Sequence, residues 1–369
     1  MARWFNTAGP CVPEKHYMIA ASARLPEVPR LVARDGYFVV HAPRQTGKTT
    51  TLLALADELT KAGQYAAMHF SCEAARAQGD DVGAATRALL DQIRTVARTK
   101  LPQGLQPPPW PEASAGGLLT AALAAWARAC PLPLVLFFDE IDALQGPTLV
   151  SVLGQLRANF SQRPGDFPAS VALCGLRDLR DYKTASGGNP NRLGGPSPFN
   201  IIVKSLRLKD FTIEDVRNLY GQHTAATGQE FTPQSVEHAF TLTAGQPWLV
   251  NALAAEIIDE MAVPASTPIT PDHMEQAKER LIRARATHLD SLTDKLNEPR
   301  VKAIIGPVLA GTEPAEDPVS DDLQYVRDLG LIAETPPVRA ANPIYREVIA
   351  RVLSTVNSPV GRPITLVRA

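Results

Sequence analysis

The segment Ala42-Pro43-Arg44-Gln45-Thr46-Gly47-Lys48-Thr49 sets a glycine, a lysine and a hydroxyl residue in succession at the end of a polar turn. Those residue types suit a polyphosphate. Backbone N–H groups must turn inward around the anion, and a glycine at position 47 lets the chain come close. Lys48 can bring a cation to the β- and γ-phosphates, and Thr49 can offer its hydroxyl oxygen to Mg²⁺. The spacing is that of a Walker A loop except at the first position, where Ala42 stands in place of glycine. The plain alternative is a chance Gly-Lys-Thr ahead of a helix, so the flanking elements matter.

A second group supplies the acids. Leu134-Val135-Leu136-Phe137-Phe138 runs into Asp139-Glu140, the pattern of a Walker B strand. An acid at the end of a buried strand can meet a Mg²⁺ ion beside Thr49, usually through water. A second acid next to it can orient and deprotonate an attacking water. Asp139 is therefore the metal candidate and Glu140 the general base, a pairing that favours hydrolysis over transfer to a small molecule. Ala172-Leu173-Cys174-Gly175-Leu176-Arg177-Asp178 is a third group. Arg177 can stabilise charge developing at the γ-phosphate, or it can pair with Asp178 or Asp181 as a surface ion pair.

These residues need elements to hold them. Tyr37 to His41 is a short β-rich run just before the glycine turn, and Leu52, Leu53, Leu55, Ala56 and Leu59 recur at helical spacing after it. Strand, phosphate loop and helix follow in that order, so the helix start points its positive dipole end at the same anion. Further strands are expected at Tyr65 to Ser71, Leu132 to Phe138, Ser170 to Cys174 and Ile201 to Leu206. Helices are expected near Val82 to Thr99, Gly117 to Ala129 and Leu149 to Phe160, and a loop at Asp178 to Pro198. Apolar runs alternating with helices argue for an α/β core on a parallel sheet.

Beyond Lys209 the strand signals stop. Thr212 with Asp215 is a capping-box pattern. Thr232-Pro233 and Thr270-Pro271 each read as a cap followed by proline at the first helical position. Gly245-Gln246-Pro247 opens a helix through Met261. The tail then offers helices near Val301 to Ala310, Ser320 to Leu329 and Pro343 to Leu353, with short strands at Leu331 to Ala333 and Val338 to Ala340. The expected domains are a P-loop core over 1–208, a helical lid over 209–293 and a winged-helix-like tail over 294–369.

Three of these motifs together resemble AAA-like ATPases, with the nearest likeness to the bacterial and archaeal AAA-like and STAND-type proteins. They are Tyr37 to Thr49, Leu134 to Asp142 and Cys174 to Asp178; Gly245-Gln246-Pro247 and Asn342-Pro343-Ile344-Tyr345 add to the likeness. The resemblance covers about Phe5 to Leu353. It implies a five-stranded core in which the Glu140 strand is not adjacent to the phosphate-loop strand. It also implies a lid that closes over ATP with Pro247 near the phosphates, and an N-terminal segment, Phe5 to Tyr17, near the adenine. Ala42, Pro43, Arg44, Gln45, Thr46, Gly47, Lys48, Thr49, Thr50 and Pro247 would then bind nucleotide. Arg157 and Arg192 are candidates for an arginine acting across a self-assembly contact.

Composition bounds the partners. The chain has 369 residues, 45% of them hydrophobic, and a net charge of −1, which supports no nucleic-acid tail or membrane-surface patch. Cys11, Cys72, Cys130 and Cys174 are scattered and read as reduced core residues of a soluble cytoplasmic protein. No apolar run reaches the ~20 residues of a membrane helix, and none at the N-terminus resembles a signal peptide.

From Ser291 to Ala369 nine Lys/Arg face ten Asp/Glu, and the expected recognition helix, Asp321 to Asp328, carries three acids and one base. Phosphate contacts dominate DNA affinity, so a protein partner is favoured over DNA. The basic residues Lys278, Arg280, Arg283 and Arg285 are balanced by Glu275 and Glu279 and read as a solvated face. The expected activity is Mg²⁺–ATP hydrolysis by a nucleotide switch, unaided or once a partner is bound. The alternatives are an ATP-dependent DNA-binding regulator and a scaffold that holds ATP without hydrolysing it.

Overall fold

The computed structural model describes residues 3–176, 201–284, 295–310, 312, 317 and 320–356. It divides into two compact units, Ala8–Lys209 and Met1–Thr7 with Asp210–Ala369.

The first unit is built on five parallel strands: β1 (Tyr37–His41), β2 (Ala66–Ser71), β3 (Leu134–Asp139), β4 (Ser170–Gly175) and β5 (Ile202–Arg207). Their spatial order is β2-β3-β4-β1-β5. The β3 strand is therefore separated from the phosphate-loop strand by β4, as the family resemblance implies. Every residue of β1, β3 and β4 is buried, which explains their unbroken apolar runs: a parallel strand covered by helices on both faces needs apolar side chains on both.

The alternation of side chains splits the core in two. Tyr37, Val39, Met68, Phe70, Leu136, Phe138 and Leu173 pack on one face with the helices Val82–Lys100, Leu118–Ala129 and Gly146–Ala158. Phe38, Val40, Ala67, Val135, Phe137, Ala172 and Cys174 pack on the other, against Leu52, Leu55 and Ala56 of the helix Lys48–Lys61. The site lies on this second face. Strand and helix ends fall within a few residues of the sequence expectations; the expected loop at Asp178 to Pro198 lies outside the described residues.

The second unit is helical. The capping box at Thr212 and Asp215 starts Ile213–Thr227, and Thr232 caps Pro233–Thr243. Gln246 accepts from Leu249 N at the head of Pro247–Ala255, which continues as a π-helical turn over Glu256–Glu260. Pro271–Arg283, Pro299–Leu309, Asp321–Asp328 and Pro343–Val356 complete it. Between the last two, Ile332 bridges Ala340 antiparallel, and Ala333 N donates to Arg339 O. The two expected tail strands thus amount to a minimal hairpin. Among the described residues no helix is long and apolar enough to cross a membrane.

Residues 3–7 belong with this helical unit. Phe5 is buried, with ring centroids 5.7 Å from Tyr220 and 6.0 Å from Phe231, and Trp248 Nε1 donates to Thr7 O at 2.9 Å.

Candidate functional site

The phosphate loop leaves the buried end of β1 and turns into the helix Lys48–Lys61. Two of its residues are left-handed, Gln45 at φ 58° and Gly47 at φ 83°. Glycine enters that region without a steric penalty. Ala42 does not adopt it. Its methyl group is fully buried among Val40, Cys174 and Leu52, and its amide donates to Gly175 O at 3.3 Å. Alanine therefore fits the loop's first position, because the backbone there asks for nothing only glycine can give.

Lys48 Nζ donates to Ala42 O at 2.8 Å and Pro43 O at 3.0 Å, and Thr46 Oγ1 donates to Pro43 O at 2.9 Å. Burial pushes the Lys48 amine below its ordinary value, while Asp139, Asp142 and Glu140 pull it back up. A half-buried cation at a phosphate loop is well placed to gain from a polyphosphate anion. Arg24 braces the loop from outside, donating to Thr46 O at 3.1 Å and Lys209 O at 2.7 Å. Thr50 Oγ1 accepts from Cys11 N at 3.0 Å.

The acids meet the loop at the C-terminal end of β3. Thr49 Oγ1 donates to Asp139 Oδ2 at 2.7 Å. The same oxygen lies 3.0 Å from His69 Nε2, and Asp139 Oδ1 accepts from Glu140 N at 2.9 Å. Burial alone would raise the Asp139 carboxyl. The hydrogen bonds from His69 and Thr49, with the charges of His69 and Lys48, outweigh it and hold the group below the usual carboxylate range. Hydroxyl and carboxylate oxygens are the hard donors that Mg²⁺ takes, commonly one or two from protein with the rest from water and phosphate, so Thr49 and Asp139 fit that ion. The described residues contain no cluster of three His, Cys, Asp or Glu that would hold a metal by themselves.

Glu140 departs from the strand at φ 54°. A non-glycine residue there costs roughly 1–2 kcal/mol. Ser71, the last residue of β2 and the register partner of Asp139, donates its hydroxyl to Glu140 Oε2. Burial raises the Glu140 carboxyl above its ordinary value, with Glu73, Asp139 and Asp142 adding to the effect and Ser71 opposing it. Such a carboxylate is a stronger base than a free one.

Lys48, Thr49, Asp139 and Glu140 are thus brought together. Pro247 is buried as the first residue of its helix in the other unit, with Asn251 Nδ2 donating to its carbonyl at 2.8 Å. Arg157 lies half-buried near the end of Gly146–Ala158. Arg177 and Arg192 lie outside the described residues.

Sequence reasoning missed His69 and Ser71. Both are polar residues at alternate positions of an otherwise apolar strand, and that alternation is the signal that could have found them.

Residues 32–182 match the family model described as AAA domain. No curated protein matches the chain. Among solved structures, the Walker-type ATPase of Pyrococcus abyssi superposes with a TM-score of 0.65 at 13% identity, over 94% of this chain and 99% of that one. At that identity the likeness shows the fold.

The Aeropyrum pernix ORC2 protein aligns with a TM-score of 0.49 at 15% identity over 91% of this chain and 93% of its own. The ORC1 protein of Aeropyrum pernix in complex with DNA gives 0.46 at 14% identity over 92% and 93%. Residues 32–182 thus match an AAA domain, and the chain has the fold of a Walker-type ATPase.

Proposed function

We propose that this protein binds Mg²⁺–ATP at Ala42 to Thr50 and hydrolyses it to ADP and phosphate, acting as a nucleotide-dependent switch. The observation that carries the reading is the convergence of Thr49, Ser71 and the Asp139-Glu140 pair from three separate chain segments, with Glu140 turned out of the strand and held by Ser71. Lys48 neutralises phosphate charge. Thr49 and Asp139 would hold a Mg²⁺ ion, which would supply Lewis-acid charge to the phosphates. Glu140 takes a proton from the attacking water onto its carboxylate. Arg177 is assigned to the γ-phosphate. The helical unit carries Pro247 as a nucleotide-sensing element and passes the nucleotide state to the tail.

A protein partner suits the tail better than DNA. In the helix Asp321–Asp328, Arg327 and Asp328 are buried, so the exposed charges are Asp321 and Asp322. Lys278 pairs with Glu275 at 2.7 Å and Glu347 at 3.5 Å, and Arg280 pairs with Glu256. Basic residues already engaged by acids have little to give a phosphate backbone.

Steady-state phosphate release from Mg²⁺–ATP tests the reading. Wild type should turn over, and Glu140→Gln should keep ATP affinity within about threefold while losing at least about 100-fold in rate. Equal release by both would remove Glu140 from its role, and binding without release by either would favour the scaffold.

A further inference from the structure

The residue that sequence reasoning passed over most completely is His69. Around it β2 is apolar: Ala66, Ala67, Met68 and Phe70 are all buried. The β2–β3 register pairs His69 with Phe137 and Ser71 with Asp139, so His69 stands diagonal to Asp139 on one face of the sheet. An imidazole is long enough to bridge that diagonal gap. His69 Nε2 does so, reaching Asp139 Oδ2 at 3.0 Å with the side chain 10% exposed. A buried imidazole without a partner would cost more than a leucine of similar volume, so packing alone does not account for this side chain.

Asp139 Oδ2 carries two donors, Thr49 Oγ1 and His69 Nε2, while Oδ1 carries Glu140 N. The Thr49 hydroxyl has one proton and two lone pairs, so it can keep its proton on Oδ2 and still offer its oxygen to a metal ion. The imidazole and the Glu140 amide are the donors of this set that hold a deeply buried carboxylate without themselves being offered to the ion. Resting on the Mg²⁺ reading of Thr49 and Asp139, we propose that His69 is a positioning residue of the metal site: its Nε2–H holds the Asp139 carboxylate in place while Thr49 gives its hydroxyl oxygen to the ion. His69 touches neither the metal nor the nucleotide. Partners of this kind, one step removed from the metal, commonly change metal affinity by 10–100-fold when removed.

The test is fluorescent ATP binding with Mg²⁺ and with excess chelator, in the full chain, for wild type and three variants. His69→Gln places an amide donor near the Nε2 position. His69→Leu removes the donor, and His69→Asn keeps an amide that falls short of Asp139. Wild type should bind more tightly with Mg²⁺. All three variants should keep the metal-free affinity within about threefold. His69→Leu and His69→Asn should lose about tenfold or more of the Mg²⁺-dependent gain, and His69→Gln should recover most of it.

A full Mg²⁺ gain in His69→Leu or His69→Asn would overturn the proposal. So would a loss that His69→Gln does not repair. If His69→Leu fails to fold, the Asn and Gln pair decides by the same criterion. A wild type that binds ATP with no Mg²⁺ gain would overturn the metal reading itself, and the role of His69 with it.

Discussion

Ala42 shows how much a single position in a phosphate loop is asked to do. The loop's left-handed residues are Gln45 and Gly47, and the first position lies outside that region. Its carbonyl accepts from Lys48, its amide donates to Gly175, and its methyl group fills the core under the loop. Ala42→Gly should therefore bring the motif to consensus without improving nucleotide binding. ATP affinity should stay within about threefold of wild type. Stability should fall by about 1 kcal/mol, from the lost buried methyl group and the freer unfolded backbone, as read by urea unfolding. A tenfold tighter complex would mean that the methyl group obstructs the phosphates. At the same scale Asp139 and Glu140, neighbours in sequence, are pushed opposite ways: hydrogen bonds and nearby cations lower the first, and burial among other acids raises the second.

At the scale of elements, tight joints matter more than helix propensity. Gly228 and Gly245 both adopt left-handed backbone, at φ 80° and 79°. A methyl group on Gly228 would meet nothing within 4 Å, whereas one on Gly245 would sit 1.9 Å from Phe211 O. Phe211 N also donates to Gly245 O at 2.8 Å, so the two backbones are held together there. Gly228→Ala should cost about 1 kcal/mol. Gly245→Ala must push the backbones apart and should cost more than about 3 kcal/mol. Thermal unfolding of the two variants side by side would separate conformational strain, common to both, from steric clash, present in one. The Gly245-Gln246-Pro247 motif thus has a structural duty in addition to any contact its helix makes with nucleotide.

For the whole molecule, the path of the chain sets an unexpected dependence. Residues 3–7 pack with the helical unit, although more than two hundred positions separate Phe5 from the residues around it. Phe5→Ala removes a buried ring from the cluster of Tyr220, His223 and Phe231 and should destabilise the helical unit by about 3 kcal/mol. Hydrogen exchange should show that loss in the helices Ile213–Thr227 and Pro233–Thr243, with little change in strands β1, β3 and β4. Equal loosening of both units would mean that they unfold as one cooperative body. The return of the chain from β5 into these helices follows Leu208 and Lys209, and Arg24 ties Lys209 to the phosphate loop.

The local chemistry was written in short stretches of sequence. The glycine before Lys48 and Thr49, the acids closing an apolar run and the caps at Thr212, Thr232 and Thr270 all work through neighbours a few residues away. Backbone conformation and helix capping are decided at that range. Strand order was legible only through family resemblance, because an apolar run records that a strand is buried and not which strands lie beside it.

His69 and Ser71 entered the site only once β2 was paired with β3 in register, which set one beside Asp139 and the other beside Glu140. Phe5 likewise found its place only through contacts some two hundred residues away. Tertiary structure decided these matters because hydrogen bonds and apolar burial act through distance in space, and the sequence alone does not display that distance.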